Sequence, residues 1–177
     1  MKIELGEFCI RSYEFSDQEA LVKSANNYNL SRLLRDQFPY PYTTTDAEAW
    51  LIHACNQDPE TNFVIANDEE MIGAIGINPQ EDVNRFSAEI GYYIGELYWG
   101  KGIATNALKA FTEFAFSQFD LNRIFANVFQ GNDASEKVLL KAGYKKEATL
   151  RKAVFKEEKF LDQYIYAVLK EDYFAGK

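Results

Sequence analysis

The residues best placed to do chemistry lie in a glycine-containing run over residues 99–104, Trp-Gly-Lys-Gly-Ile-Ala. Before it, residues 86–94 alternate between apolar and polar side chains, as a half-buried strand does. From Ile103 onward, apolar residues recur at helical spacing, so a helix is predicted to begin inside the run. The start of a helix directs free N–H groups and a partial positive charge at a ligand, and small residues let that ligand approach the backbone. The run therefore predicts an anion site, most often one for phosphate.

The residues alone leave three interpretations of the two glycines open: a dinucleotide fold, a phosphate site of another kind, and a tight turn without a ligand. The dinucleotide fingerprint is disfavoured because its third glycine position holds Thr105. A Walker loop is absent, since Gly100-Lys101-Gly102 lacks the four-residue spacer and the Lys-Ser/Thr pair.

The elements that position this run form a series of strands and helices. Capping-box patterns at Ser16 and Thr45 predict the starts of two early helices, and Gly143 is expected to end a later one. Seven strands are predicted, over residues 8–15, 62–66, 71–77, 86–94, 122–129, 144–155 and 159–169. This order predicts a mixed α/β fold on a single sheet, forming one domain over residues 1–177.

Charge and composition limit the expected partners of the chain. Of its 177 residues, 47% are hydrophobic, which is enough for a packed core, and the formal net charge is −8. Nucleic acid is not expected as a partner because it requires clustered Lys and Arg, whereas an acidic surface tolerates or attracts a cation. No apolar run is long enough to span a bilayer, and residues 1–6 lack the apolar core of a signal peptide, so no membrane contact is expected.

The cysteines and the histidine give no indication of a metal site. Cys9 and Cys55 are the two cysteines, and their spacing fits neither a disulfide framework nor a zinc site. His53 is the single histidine and lies at the margin of a predicted apolar helix stripe. We therefore expect a cytoplasmic protein without a metal.

Four ordered motifs resemble those of a known family. They are Glu-Ile-Gly-Tyr-Tyr-Ile at residues 89–94, Trp-Gly-Lys-Gly-Ile-Ala-Thr at residues 99–105, Asn-Asp-Ala-Ser at residues 132–135 and Lys-Ala-Gly-Tyr at residues 141–144. Together they resemble the GCN5-related N-acetyltransferases (GNAT), and more closely their RimJ/RimL-type branch. That branch contains enzymes that acetylate protein N-termini, including ribosomal ones, as well as small amines. The resemblance covers residues 8–170.

The resemblance implies a GNAT-like fold: one central, mostly antiparallel sheet of about seven strands, flanked by helices and splayed between its fourth and fifth strands. It also implies acetyl-CoA as the donor, held between those strands with its pyrophosphate on backbone N–H groups of the glycine run. The backbone of Tyr93 and Ile94 would hold the pantetheine arm and polarise the thioester carbonyl, and Asn132 would contact the pantetheine. The donor-binding residues implied in this way are Tyr93, Ile94, Trp99, Gly100, Lys101, Gly102, Ile103, Ala104, Thr105, Asn132 and Ser135.

Several of these residues have a second interpretation. Asn132 is also a good helix N-cap, and Trp99, which replaces the family's frequent Arg or Gln, is also suited to packing. Glu89 matches the Glu of this branch and is our candidate base, with a paired or solvated carboxylate as the alternative. Many relatives use a Tyr to protonate the departing thiolate, but Leu139 stands at that position. Ser135, one helical turn earlier, is the candidate donor to sulfur or simply a first-turn helix residue.

Five residues occupy segments that line the acceptor cleft in such folds, or that serve packing alone: Phe38, Tyr40, Tyr42, Arg151 and Phe155. Our first hypothesis is an acetyl-CoA-dependent N-acetyltransferase that acts by direct transfer on the N-terminal α-amine of a protein. The alternatives are a small amine (polyamine, aminoglycoside or amino acid) as the acceptor, and a non-catalytic acyl-CoA-binding module. Both a monomer and a homodimer are compatible with the sequence.

Overall fold

A computed structural model describes residues 1–175 of the chain. Its eight strands form one open sheet in the order β1-β2-β3-β4-β5-β6-β8-β7. The strands are β1 (Lys2–Glu4), β2 (Cys9–Arg11), β3 (Asn62–Ala66), β4 (Met71–Pro79), β5 (Ser87–Ile94), β6 (Arg123–Phe129), β7 (Lys145–Lys156) and β8 (Lys159–Leu169). The helices are α1 (Gln18–Ala25), α2 (Tyr28–Ser31), α3 (Thr44–Cys55), α4 (Ile103–Gln118), α5 (Asp133–Lys141) and α6 (Lys170–Ala175). Among the residues described, no helix has the length and apolar character needed to cross a membrane.

The pairing directions confirm the predicted mixed sheet. Strands β1 to β4 pair in antiparallel fashion, and so do β6, β8 and β7. In contrast, β5 and β6 run parallel and pair from Ser87↔Arg123 to Glu89↔Phe125. In the described chain this pairing ends at Glu89, although β5 continues to Ile94 and β6 to Phe129. These two strands are the fourth and fifth strands of the sequence prediction, and only the first three residues of β5 pair with β6 in the part of the chain described.

The sheet contains one strand more than the seven predicted. Residues 2–4 form β1, which pairs with β2 from Lys2↔Arg11 to Glu4↔Cys9. A strand of three residues is too short for an alternating pattern to reveal it. The first predicted strand, over residues 8–15, is also shorter than expected and ends at Arg11.

The cap of α3 lies two residues earlier than predicted. Thr43, rather than Thr45, is the N-cap: its side chain accepts a hydrogen bond from the Asp46 N–H at 3.3 Å. The Asp46 carboxylate in turn accepts one from the Thr43 N–H at 2.7 Å. A capping box is therefore present, but it joins Thr43 to Asp46. The sequence pattern alone did not distinguish this box from the one predicted to begin at Thr45.

The predicted cap at Ser16 is wrong. A 3₁₀ turn, Phe15–Asp17, precedes α1, and its capping box joins Glu14 to Asp17. The reason is the buried Asp17 carboxylate, which accepts the Glu14 N–H at 2.9 Å and pairs with Arg11 at 2.6 Å. A buried carboxylate requires such partners, so Asp17 fixes the local backbone instead of Ser16.

The chain divides into two compact units, which are defined by the contacts between residues within each unit. The first consists of Met1–Gly76 and Tyr92–Ala107, and the second of Ile77–Gly91 and the chain from Leu108 onward. The core of the first unit is a cluster of buried side chains: Tyr13, Leu21, Ala25, Tyr42, Ala47, Leu51, Ala54, Val64, Ala66 and Met71.

In the second unit, a buried polar pair lies within the apolar core. Thr112 donates a hydrogen bond to the Leu108 carbonyl at 2.7 Å, and its oxygen lies 2.8 Å from the Tyr144 hydroxyl. Since Thr112 has one proton, the Tyr144 hydroxyl is the donor in this second bond. Gly143, just before Tyr144, has a φ of +94° and ends α5 as predicted.

Candidate active site

The loop that joins β5 to α4 folds back onto the end of β5. The Gly95 N–H donates to the Ile72 carbonyl of β4 at 2.8 Å, and a 3₁₀ turn follows at Glu96–Tyr98. The indole Nε1 of Trp99 then donates to the Ile94 carbonyl at 2.6 Å. Trp99 therefore packs onto the strand end, as one of its two interpretations required, while 42% of its surface stays exposed.

The two glycines of this loop are needed for their backbone conformation. Gly100 has a φ of +73° and Gly102 a φ of +79°, in the left-handed region that favours glycine. A Cβ atom built on either residue would meet nothing within 4 Å, so open space borders the backbone there. Lys101 between them is exposed, with its Nζ 5.1 Å from the centre of the Tyr98 ring.

Helix α4 begins directly after the glycines, as predicted. The Asn106 N–H donates to the Gly102 carbonyl at 3.1 Å, so the N–H groups of Ile103, Ala104 and Thr105 precede the first helical hydrogen bond. Ile103 is buried and anchors the turn, while Ala104 and Thr105 are half-buried. The first turn of α4, which the structure describes in full, carries no acidic side chain. These features together suit an anion.

An aromatic cluster includes the side chain of Tyr93, near the end of β5. The Tyr93 ring packs edge-on against Phe38, with 5.3 Å between ring centres, and its hydroxyl lies 3.5 Å from the Ser24 hydroxyl. Phe38 in turn packs against Tyr42 at 5.3 Å. Burial raises the pKa of Tyr93 and raises that of Tyr42 to about 12. Of the acceptor candidates, Tyr42 is therefore a core residue and Phe38 supports Tyr93.

Tyr40, the remaining acceptor candidate of the first unit, is 53% exposed. Its ring packs against Tyr28, with 5.7 Å between ring centres.

A pocket of about 160 Å³ also lies in the first unit, lined by residues of α1, the start of β4 and the 3₁₀ turn at Glu96–Tyr98. Its carboxylates have partners: Glu70 pairs with Lys23 at 2.6 Å, and Glu96 accepts from the Asn27 amide at 2.5 Å. These two acidic residues therefore tie the neighbouring turns to the helices.

In the second unit, Glu89 belongs to a chain of hydrogen bonds. Its Oε1 accepts from the Asn127 amide at 2.8 Å, and the Asn127 oxygen accepts from the Gln163 amide at 2.8 Å. Of the alternatives to a base, a fully solvated carboxylate does not fit, since the side chain is half-buried, whereas a paired carboxylate agrees with the hydrogen bond from Asn127. The sequence prediction missed Asn127 and Gln163; the available signal was a polar residue on the less buried face of a predicted strand.

The start of α5 places Asn132 and Ser135 together. Asn132 is the N-cap, and its side-chain oxygen accepts from the Ser135 N–H at 3.2 Å. Ser135 is half-buried in the first turn, and Leu139, one turn further, is fully buried. An apolar core side chain thus occupies the position at which many relatives carry a Tyr.

The other two acceptor candidates, Arg151 and Phe155, lie exposed on β7. Phe155 packs against Phe160 of β8, with 5.0 Å between ring centres. Arg151 lies in an irregular stretch of β7, where the register with β8 shifts between Leu150 and Val154. Within residues 1–175, no group of three or more His, Cys, Asp and Glu side chains is placed to hold a metal ion.

The sequence matches the acetyltransferase (GNAT) domain family over residues 7–145, a segment that includes parts of both units. An uncharacterized N-acetyltransferase of Bacillus subtilis (strain 168), YnaD, is 29% identical over 174 residues, covering 98% of this chain and 99% of the relative. The ribosomal-protein-serine acetyltransferase of Escherichia coli (strain K12) is 33% identical over 105 residues, covering 59% of this chain and 58% of the relative.

Solved structures share the fold. A RimL ribosomal L7/L12 alpha-N-protein acetyltransferase in complex with coenzyme A matches with a TM-score of 0.84 at 21% identity, covering 96% of this chain and 98% of that chain. A spermidine N-acetyltransferase from Vibrio cholerae, in complex with CoA and spermine, matches with a TM-score of 0.79 at 20% identity. The match covers 95% of this chain and 98% of that chain. The family match and the names of the relatives support an enzyme rather than a non-catalytic module. The chain belongs to the GNAT family and is an N-acetyltransferase.

Proposed function

We propose that this enzyme transfers the acetyl group of acetyl-CoA directly to the N-terminal α-amine of a protein. The observation that carries the proposal is the loop over residues 99–105, where two glycines at positive φ leave open space in front of α4. The acceptor is supported by the Escherichia coli relative, whose name says that it acts on a ribosomal protein. Such an acceptor would place the reaction in the cytoplasm. The chain would act as one domain over residues 1–177, alone or as a homodimer.

The loop fits the pyrophosphate of CoA without a cluster of basic side chains. The first N–H groups of a helix lack partners, and the helix dipole adds about half a positive charge. Residues 103–105 supply these groups, and the exposed Lys101 adds one cation. The strand backbone at Tyr93 and Ile94 would hold the pantetheine arm. Because the Ile94 carbonyl already accepts from the Trp99 indole, Trp99 would contribute by fixing the end of β5.

An α-amine is a suitable acceptor because it must be neutral to attack a thioester. With an ordinary pKa near 8, an α-amine costs about 1.4 kcal/mol to deprotonate at pH 7. A lysine side chain, with a pKa near 10.4, costs about 4.6 kcal/mol. An enzyme with one fixed carboxylate as its base therefore suits an N-terminal acceptor better than a lysine.

We assign the base to Glu89 and the hydrogen-bond donor to sulfur to Ser135. Glu89 is half-buried and its carboxylate is fixed by the Asn127 amide. As the C–N bond forms and the C–S bond breaks, the proton of the amine passes to Glu89. Ser135 donates a hydrogen bond to the departing thiolate, which takes a proton from solvent while Glu89 returns its proton to solvent. A thiol with an ordinary pKa near 8.5 requires no stronger acid, and strand N–H groups would stabilise the oxyanion. Asn132 would contact the pantetheine beside its role as a cap.

The exposed residues among the acceptor candidates are the ones available to a peptide. Tyr40, Arg151 and Phe155 are exposed and are proposed to contact it. Phe38 and Tyr42 would act through packing, since they support the Tyr93 ring.

A small cationic amine is the second candidate acceptor. The net charge of −8 favours it, because an acidic surface attracts a polyamine. The Vibrio cholerae structure shows that this fold also occurs in an enzyme named for spermidine.

Thermal unfolding with acetyl-CoA, CoA, NAD and ATP in parallel tests the donor. A ligand at about a hundred times its dissociation constant adds about 2.7 kcal/mol, which corresponds to roughly 5–10 °C for a chain of this size. A shift with both CoA species, and none with NAD or ATP, is expected. Thiol release with a panel of peptides, polyamines and aminoglycosides then ranks the acceptors. No shift with either CoA species would remove the basis of the proposal.

A further inference from the structure

We propose that Asn127 and Gln163 are positioning residues, which hold the Glu89 carboxylate through a chain of two directed hydrogen bonds. This inference rests on the proposed role of Glu89 as the base. The chain runs from Gln163 Nε2 to Asn127 Oδ1, and from Asn127 Nδ2 to Glu89 Oε1, at 2.8 Å in each step. It joins residues that are far apart in sequence and lie on three neighbouring strands.

The strand registers show why these three side chains meet. Glu89 of β5 pairs with Phe125 of β6, and Asn127 lies two residues further along β6 on the same face. On the other side of β6, Phe129 pairs with Gln163 of β8, which again places the next amide two residues further on. The chain thus crosses the sheet diagonally, at a spacing that long side chains span.

Glu89 is also the point at which β5 and β6 stop pairing. Had the register continued, Gly91 would stand beside Asn127; instead, the pairing ends at Glu89. A Cβ atom at Gly91 would meet nothing within 4 Å, so open space borders β5 just beyond its last paired residue. The side chain of Asn127 reaches back to the last paired residue, Glu89, and fixes its carboxylate where the pairing ends.

The ionised carboxylate fixes the direction of both hydrogen bonds. A carboxylate is an acceptor only, so Asn127 must present its NH₂ group to Glu89. Its oxygen then faces Gln163, which must present its own NH₂ group. Each amide has one orientation that satisfies the chain, and hydrogen bonds linked in this way strengthen one another. An uncharged side chain at position 89 does not impose this direction.

The burial pattern supports a positioning role over a surface contact. Glu89, Asn127 and Gln163 are each half-buried. Their neighbours along the strands, Ala88 and Ala126, are fully buried on the opposite face. These buried residues hold the strands in place on the face opposite the three polar side chains. Loss of one amide should therefore move the Glu89 side chain rather than the strands.

The test compares Asn127→Leu and Gln163→Leu with Gln130→Leu as a matched control. Gln130 is also an amide of this unit; it accepts from the Asp162 N–H at 3.1 Å and takes no part in the chain. For Asn127→Leu we expect kcat to fall about tenfold, the change that loss of one charge-assisted hydrogen bond produces. For Gln163→Leu a fall of about threefold is expected. The Kd for CoA should stay within about twofold of the original in all three variants.

Two further results decide between positioning and a purely structural role. In a Glu89→Gln background, Asn127→Leu should cause no additional loss of kcat, because both changes act on the same group. The side-chain amide resonances of Asn127 should also shift in Glu89→Gln, whether or not the enzyme turns over. An additive loss, or equal losses in kcat for Asn127→Leu and Gln130→Leu, would overturn the proposal. So would amide resonances that do not respond to Glu89→Gln. Absence of turnover in the unmodified enzyme with every acceptor would instead contradict the proposed function, and the resonances would still decide the positioning.

Discussion

Replacing Gly73 by Ala tests how closely β4 approaches the end of β5. A Cβ atom on Gly73 would lie 2.3 Å from the Tyr93 carbonyl oxygen and 3.0 Å from the Ile94 Cα. Ordinary contact begins at 3.4 Å, so the two strands must separate by about 1.1 Å. These two atoms belong to the backbone and cannot rotate away, unlike the Ile94 Cδ1 atom, which also lies at 3.0 Å.

The expected cost follows from this clash. Overpacking in a well-packed core costs about 1–3 kcal/mol, and a backbone clash lies at or above the upper end. For a chain of this size, 3 kcal/mol lowers the Tm by roughly 6–12 °C. Because the proposed pantetheine contacts are at Tyr93 and Ile94, a displacement of about 1 Å should also lower kcat/KM for acetyl-CoA, on the order of 10²-fold.

Gly76→Ala is the matched control for this experiment. Its Cβ would lie 2.8 Å from the Thr61 carbonyl oxygen and 2.5 Å from the Asn62 Oδ1 of β3, on the side of β4 away from Tyr93. This variant should lose stability but keep its affinity for CoA, as measured by thermal unfolding and by titration calorimetry. An unchanged Tm for Gly73→Ala would refute the close approach. Equal losses of CoA affinity in both variants would refute the role of the β5 end.

Three further changes have expected outcomes. Trp99→Phe removes the N–H that holds the Ile94 carbonyl and should weaken CoA binding about threefold to tenfold in calorimetry. Glu157 and Glu158 form the β7–β8 turn with φ values of 49° and 60°. Asn-Gly in their place should therefore stabilise the fold by about 1 kcal/mol in urea unfolding. Burial raises the pKa of Tyr42 from 10.0 to about 12. The contribution of its protonated hydroxyl to the free energy of unfolding is therefore complete below pH 10 and is lost as the pH rises toward 12. Tyr42→Phe should flatten the decline of Tm over that range.

The sequence revealed those parts of the fold that depend on local patterns. The change from strand to helical period around the glycine run was predicted correctly, because both periods are local. Strands β3 and β4 were also predicted correctly, at residues 62–66 and 71–77, because each is a short apolar run. In contrast, the strand at Lys2–Glu4 became visible only through its pairing with β2.

The candidate site was predictable where the backbone defines it. The start of α4 at Ile103 agrees with the sequence analysis, whereas the positive φ values of Gly100 and Gly102 became visible only in the structure. Side-chain surroundings were not predictable, because they depend on distant segments. Tyr42 is buried in the core by α1 and α3, and Asn127 meets Glu89 across 38 residues of sequence.

Acetylation of matched peptides tests the proposed acceptor most directly. One peptide has a free N-terminal serine and no lysine; the second has a blocked N-terminus and one lysine; a polyamine is the third acceptor. With acetyl-CoA, mass spectrometry should show one acetyl group on the N-terminus of the first peptide, and none on the second. Acetylation of the polyamine alone would contradict a protein N-terminus as the acceptor and favour the small amine.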